Sequence, residues 1–228
     1  METPDHMNRS FSPLTIDLKA TEKTRARYQR IAPVYDLMEV FSERRYFDWR
    51  NRLWAMIRGN SILEVGVGTG KNMPFYPEGV HITGIDLTPG MLDRAQVRLA
   101  EMGLQERVTL QLGDVQALNF PGASFDAAIA SFVFCSVPDP VLGLQELKRV
   151  IKPGGCVLLL EHMRSPNPFI GSLMDVLNLM IVRMMGANIN RRTVDNVKRA
   201  GLELDRVEDL GMGGVFKLIL AHAPEKGA

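Results

Sequence analysis

The sharpest chemical signal in this 228-residue chain is a short apolar run, Ile62-Leu63-Glu64-Val65, that ends in Gly66-Val67-Gly68-Thr69-Gly70. Alternate glycines let a chain turn tightly and let a ligand approach backbone N–H groups with no Cβ in the way. Two further apolar runs end in carboxylates. Residues 81–85 lead into Asp86, and residues 108–112 lead into Gly113-Asp114. At the carboxyl edge of a parallel sheet, Asp86 can accept hydrogen bonds from both hydroxyls of a ribose, and Asp114 can accept from an exocyclic amine. Ser131-Phe132 marks one more strand end. Together these residues outline an adenosine-shaped crevice. Taken singly, the glycines also suit an ordinary tight turn, and either aspartate suits a helix cap or an exposed surface. A dinucleotide fingerprint needs glycines at offsets 0, 2 and 5. Offset 5 from Gly66 is Lys71, so that spacing fails, and no phosphate-loop pattern of the Gly-x-x-x-x-Gly-Lys-Ser/Thr type is present.

The elements that must position these residues follow from periodicity. Strands are expected at 61–65, 81–86, 108–112, 125–132 and 156–160, almost continuously apolar, as in a sheet covered on both faces. Helices alternate with them. One opens at Thr88-Pro89 and closes at Gly103; another spans 140–151 and leads through Lys152-Pro153-Gly154-Gly155 into the next strand. A helix at 193–200 and two last strands, near 204–210 and 216–221, complete the series, with Gly211-Met212-Gly213-Gly214 as a tight connection. The alternation predicts an α/β fold with an open, mostly parallel sheet. The segment 20–57 is helical, with interruptions expected at Pro33 and at residues 41–42. The divisions are a mobile arm at 1–18, a helical cover at 19–58, a domain at 59–222 carrying an insertion at 163–192, and a tail at 223–228.

Composition narrows the class. At 46% hydrophobic and 23% charged, the chain can bury a core without staples. Its two cysteines, Cys135 and Cys156, sit in strand-like apolar runs and read as reduced thiols of an intracellular protein. No leader-like segment opens the chain, and no apolar run approaches the about 20 residues of a membrane span. With 27 basic and 26 acidic side chains, nothing global points to nucleic acid. The balance conceals local excess: residues 163–200 carry six basic and two acidic side chains, and residues 1–60 carry eleven and eight. No Cys/His cluster has metal-ligand spacing, so no metal is expected.

The runs Leu63-Glu64-Val65-Gly66-Val67-Gly68-Thr69-Gly70, Gly84-Ile85-Asp86-Leu87-Thr88-Pro89-Gly90-Met91-Leu92, Gly113-Asp114 and Leu147-Lys148-Arg149-Val150-Ile151-Lys152-Pro153-Gly154-Gly155 resemble the successive motifs of class I S-adenosylmethionine-dependent methyltransferases. That resemblance implies a Rossmann-like, seven-stranded sheet with an antiparallel last strand. It implies S-adenosylmethionine as cofactor and S-adenosylhomocysteine as product. Gly66, Gly68 and Gly70 would wrap the methionine part, and Glu64 would orient the loop or the amino group. Asp86 would hold the ribose, Asp114 the adenine amine, and Leu87 and Val115 the adenine faces. Met91 and Ser131 complete the implied cofactor set. Residues 28–36, Tyr-Gln-Arg-Ile-Ala-Pro-Val-Tyr-Asp, resemble the cover of the ubiquinone/menaquinone methyltransferase-like subgroup, where Tyr28 and Tyr35 would close over the cofactor.

The acceptor is read from the ends of the chain. Five of the 13 methionines fall within 163–185, and on a helical wheel Ser172, Asp175, Asn178 and Arg183 leave Leu173, Leu177, Met180, Ile181 and Met184 as an apolar side. Such a helix beside basic residues suits an anionic membrane surface; it equally suits packing on the sheet. With residues 28–36 and 46–49, Glu161-His162 and Gly186-Ala187-Asn188-Ile189-Asn190-Arg191, it is similar to the soluble, Rhodobacter-type bacterial phosphatidylethanolamine N-methyltransferases. The expectation is methyl transfer to a phospholipid amine by a cytoplasmic enzyme bound peripherally to a membrane. His162 is the candidate base or orienting group, Glu161 a group positioning the amine, and Tyr46 a cation partner. Arg164, Asn178, Asn190 and Arg191 are the candidate substrate-binding residues. Quinone C-methylation, methylation of a small thiol or amine, and cofactor binding without catalysis are the alternatives.

Overall fold

The computed structural model describes residues 16–225, apart from the side chains at positions 41, 42, 184 and 185. Most of the arm expected at 1–18, half of the tail at 223–228, and the side chain of Met184 therefore lie outside the described residues. The chain opens with α1 (Leu18–Ile31), capped by Asp17, whose side chain accepts from the Ala20 N–H at 3.0 Å. Pro33 ends that helix in a single 3₁₀ turn, and α2 (Tyr35–Ala55) follows. The interruption expected at residues 41–42 does not occur, and α2 runs through them. Neither Phe nor Ser breaks a helix by itself; only proline removes the donor and clashes with the preceding turn.

The remainder alternates β1 (Ser61–Val65), β2 (His81–Asp86), α3 (Pro89–Glu101), β3 (Val108–Leu112), β4 (Phe125–Ser131), α4 (Pro140–Val150), β5 (Ile151–His162), α5 (Pro168–Met185), α6 (Thr193–Arg199), β6 (Glu203–Asp209) and β7 (Phe216–His222). The seven strands form one sheet in the order β3-β2-β1-β4-β5-β7-β6. Pairings among β1 to β5 are parallel, and β7 runs antiparallel to both β5 and β6. The chain leaves β1 toward β2 on one side and returns to β4 on the other. That makes the carboxyl end of β1 the topological switch point, where open α/β sheets bind ligands.

Two expectations need correction. β5 begins at Ile151, not at Cys156, because the ladder takes up the Lys-Pro-Gly-Gly segment. Ile151 pairs with Phe125, the register shifts, and Gly154 N–H donates to the Ala223 carbonyl at 3.0 Å. Cys135 lies in a buried turn after β4 and not in a strand, and its thiol points at the Phe132 carbonyl.

Alternation along the central strands feeds two cores. Leu63, Val65, Val157 and Leu159 face one side with Leu144, Leu147 and Val197 from α4 and α6. Ile62, Leu158 and Leu160 face the other with Trp49, Leu53, Ala95 and Leu99 from α2 and α3. The sheet is thus pinned from both faces, and its strand ends are fixed relative to one another.

Candidate active site

Five strand ends converge above the switch point. Beyond β1, Gly66 and Gly68 have φ of +65° and +57°, in the left-handed region that favours glycine. A Cβ on Gly66 would lie 2.4 Å from Val133, so the loop packs directly against the turn after β4. A Cβ on Gly68 would meet nothing nearer than the Gly66 carbonyl at 3.9 Å, leaving room for a ligand. Asp86 receives the Gly68 N–H on one oxygen at 2.9 Å and the Thr88 N–H on the other at 2.8 Å. Burial raises its pKa, while these two N–H groups pull it back. Each oxygen keeps acceptor capacity for a hydroxyl. Asp114 is held from its own side by Gln116, whose backbone N–H donates at 2.9 Å.

A cavity of about 740 Å³, partly open to solvent, lies between this edge and the helical cover. Of the expected cofactor residues, Tyr28, Tyr35, Gly66, Gly68, Asp86, Leu87, Met91, Gly113, Asp114, Val115 and Ser131 all line it. Glu64 and Gly70 do not. Glu64 is sealed beneath the loop, accepting from Asn72 Nδ2 at 2.6 Å and from the Tyr76 hydroxyl. Burial lifts its pKa to about 7 against these two donors and Arg50. Asn72 also reaches Ser131 Oγ at 3.2 Å, so Glu64 acts on the loop from behind. Gly70 is packed onto Met73 and Ala95.

Sequence reasoning missed Thr24, Thr88, Val133, Ser136 and Val137 in the lining, and named Phe132 only as a strand end. Most belong to the turn after β4, which carries no glycine signature. Its geometry is nonetheless unusual: Phe132 has φ +60°, which costs a non-glycine residue roughly 1–3 kcal/mol. The conformation is held by the Phe132 N–H donating to the Leu160 carbonyl at 2.8 Å, and by contacts of its ring with Tyr46 and Arg50. Ser136 could have been found only through Tyr28, whose hydroxyl it meets.

The expected catalytic residues stand one layer back. Tyr46 packs in an aromatic group with Trp49, Phe132 and Phe216, and His162 sets its ring edge-on to Phe216. Burial lowers the His162 pKa, and its Nδ1 is enclosed without a partner. Glu161 is fully buried: its Oε1 accepts from the Val133 and Phe134 N–H groups, both at 2.9 Å, and Oε2 has no partner. Burial lifts its pKa to about 8. Through Oε1 Glu161 staples that turn, and it is not among the residues that line the cavity.

The expected substrate residues divide. Arg164 is committed to Asp175 through Nε and Nη2, at 3.0 and 2.9 Å. Asn178 accepts from the Ile189 N–H at 2.9 Å and so ties α5 to the following loop. Asn190 donates to Asp175 at 3.1 Å, and Arg191 donates to the Val137 carbonyl at 2.8 Å. Asn190 and Arg191 still line a surface cleft with Asn188, Arg192, Asn196 and Arg199, and that cleft shares Pro138 with the main cavity.

The lining suits S-adenosylmethionine: an open position above Gly68, a two-oxygen acceptor at Asp86, a carboxylate at Asp114, and apolar walls from Ile85, Leu87, Met91 and Val115. A family model described as a methyltransferase domain matches residues 63–159. Fold, site and family together define a class I S-adenosylmethionine-dependent methyltransferase, and the chain belongs to that class. Among its relatives, the ubiquinone/menaquinone biosynthesis C-methyltransferase UbiE of Geobacter sp. (strain M21) is 30% identical over 178 residues, covering 75% of this chain and 76% of that protein. The phosphatidylethanolamine N-methyltransferase of Cereibacter sphaeroides is 42% identical over 105 residues. That match covers 46% of this chain, and the chain spans about half the length of that relative, 52%. A SAM-dependent methyltransferase of Thermotoga maritima shares the fold, with a TM-score of 0.66 at 20% identity over 87% of this chain and 99% of that one.

Proposed function

We propose that this chain methylates the amine of a phosphatidylethanolamine headgroup at an anionic membrane surface. The observation that carries this reading is the outward side of α5. Phe169, Leu173, Val176, Leu179 and Met180 are exposed, at 88, 58, 75, 69 and 55%. They stand next in the chain to an arginine- and asparagine-lined cleft that meets the cofactor cavity at Pro138. An apolar helix face beside guanidinium groups matches acyl chains beside phosphates. No described helix is long and apolar enough to cross a membrane, so contact would be from one side.

S-adenosylmethionine supplies a methyl group already activated on a sulfonium, which leaves the protein to align and to exclude water. Tyr28 and Tyr35 close the cavity from the cover. Phe132, which lines the cavity with Tyr46 packed on it, offers an aromatic ring to a cationic amine at the strand ends. The amine must lose its proton before it attacks. His162 would have to bury a charge to take that proton, so it serves as a wall group on Phe216 and the proton leaves to water. The headgroup phosphate would rest on Arg191, Arg192 and Arg199.

The competing reading is C-methylation of a polyprenyl quinone, favoured by the longer match to UbiE relatives. Purified protein given methyl-labelled S-adenosylmethionine and vesicles with or without phosphatidylethanolamine decides between them. Mono-, di- and trimethylated phospholipid is the expected product series. Label found only in an added quinone or soluble thiol would overturn the lipid reading.

A further inference from the structure

Lys71, the residue at which the dinucleotide spacing breaks, is drawn into a cage of carboxylates from the cover. Its Nζ lies 2.7 Å from Glu43, 3.1 Å from Glu39 and 3.8 Å from Asp36, with the side chain only 12% exposed. These acids are spaced three and four apart in α2, so one helix face presents all of them. The same Nζ stands 5.9 Å from the ring centre of Tyr35, a cavity-lining residue. Neighbouring contacts run in parallel: Thr69 Oγ1 donates to Asp36 at 2.6 Å, and Arg50 bridges Glu43 at 3.2 Å to Asn72 at 2.6 Å. Close by, at the joint between α1 and α2, α3 also holds the cover: Arg94 donates to the Ala32 and Pro33 carbonyls at 2.7 and 2.6 Å, and Arg98 lies 3.5 Å from Asp36.

We infer that Lys71 is an electrostatic latch that fastens the α1–α2 cover over the cofactor and sets the rate at which cofactor and product exchange. Thr24, Tyr28 and Tyr35 roof the cavity, while the glycine loop and Asp86 floor it. Parting of roof and floor widens the opening through which cofactor and product exchange. Near Tyr35 the parting surface is a lysine against three acids. Partly buried pairs of this kind are screened much less than surface ones. Removing the lysine does more than delete an attraction. Arg98 stays 3.5 Å from Asp36 and Arg50 3.2 Å from Glu43, but the closed cover then holds three partly buried carboxylates with less positive charge beside them, which favours the open cover. Lys71 is thus a positioning residue, acting on the cofactor through Tyr35 and the cover.

This inference depends on the cofactor site and not on the identity of the acceptor, so it is tested with no acceptor present. Radiolabelled S-adenosylhomocysteine is bound to wild type, Lys71→Met and Lys71→Arg, and its release is followed by filter binding. Lys71→Met is expected to release product at least tenfold faster, and Lys71→Arg within about threefold of wild type. Adding Glu39→Gln and Glu43→Gln to Lys71→Met is expected to slow release again, since two of those carboxylates are then uncharged. Hydrogen exchange of the ligand-free Lys71→Met protein should speed up in α1 and α2 while the central strands stay protected. Release from Lys71→Met within twofold of wild type overturns the inference. So does faster exchange spread evenly over the sheet, which would make Lys71 a plain stability residue. Should Lys71→Met fail to fold, Glu39→Gln alone is read the same way: severalfold faster release supports the latch, and an unchanged rate overturns it.

Discussion

At the scale of single residues, buried carboxylates do the unexpected work. Glu161 and Glu64 both keep a proton well above the usual range, to about 8 and about 7, chiefly because burial disfavours the ion. A carboxyl whose folded pKa is raised contributes stability that is fully present below its ordinary value near 4.5. That contribution is lost as pH rises through the folded value. For Glu161 the stability of the protein should therefore fall between about pH 4.5 and 8, by at most about 1.4 kcal/mol per pH unit. Glu161→Gln keeps an oxygen for the Val133 and Phe134 N–H groups and cannot ionise. Urea unfolding at pH 5 to 8 should show a shallower decline in that variant, and equal slopes would remove Glu161 from this role. Legibility in the sequence follows the same division. Gly66, Gly68, Asp86 and Asp114 could be read because each stands at the end of its own strand, where local pattern fixes direction. The clamp of Glu161 on the turn after β4 was not legible, because its partners Val133 and Phe134 stand nearly thirty residues earlier. Lys71 was legible only as a broken spacing, since its three partners lie on a helix about thirty residues before it.

Among the elements, α5 shows where a helical wheel succeeds and where it stops. The wheel found two sides but could not tell which faced the body. Gly171 and Met174 are buried and half-buried Asn178 holds the Ile189 N–H, while Ser172, Asp175 and Arg183 of the polar side are exposed, so only a narrow strip of α5 packs inward. The apolar side is left in water, the reverse of a helix packed on a sheet by its apolar stripe. Val176→Asp and Leu179→Asp add charge at positions already 75 and 69% exposed, so thermal unfolding should move by no more than a degree or two. If those side chains enter a lipid layer, each forfeits roughly 1.5–3 kcal/mol of apolar burial. Co-sedimentation of the double variant with phosphatidylethanolamine-containing anionic vesicles should then drop at least tenfold. Sedimentation equal to wild type would mean that this side of α5 meets something other than lipid. The α/β order itself was plain from alternation of apolar runs with glycine and proline punctuation. The long β5 was not, because its opening proline and glycines imitate a turn until Phe125 of β4 and Ala223, just past β7, supply partners.

For the whole molecule, a formal net charge of +1 hides a polarity. Residues 163–200 hold six basic and two acidic side chains, residues 1–60 hold eleven and eight, and the rest of the chain holds ten and sixteen. If the protein meets an anionic surface as proposed, that surface would attract the segment that carries α5 and the arginine cleft while repelling most of the sheet domain, which would orient the protein before contact. Each basic residue near such a surface is worth about 1 kcal/mol, and the field fades within about 10 Å at 0.1 M salt. Arg192 and Arg199 are exposed in the cleft and free of the internal bonds that hold Arg164 and Arg191. Reversing both, as Arg192→Glu with Arg199→Glu, should weaken binding to anionic vesicles by tenfold or more and flatten its dependence on salt. Release of S-adenosylhomocysteine should stay at the wild-type rate, because neither residue lines the cofactor cavity. Binding to neutral phosphatidylcholine vesicles, where only the apolar side of α5 acts, should be weak in both proteins and nearly indifferent to salt. An unchanged salt dependence in the double reversal would show that the charge polarity does not orient the molecule on a membrane, and would move the phosphate contact away from this cleft.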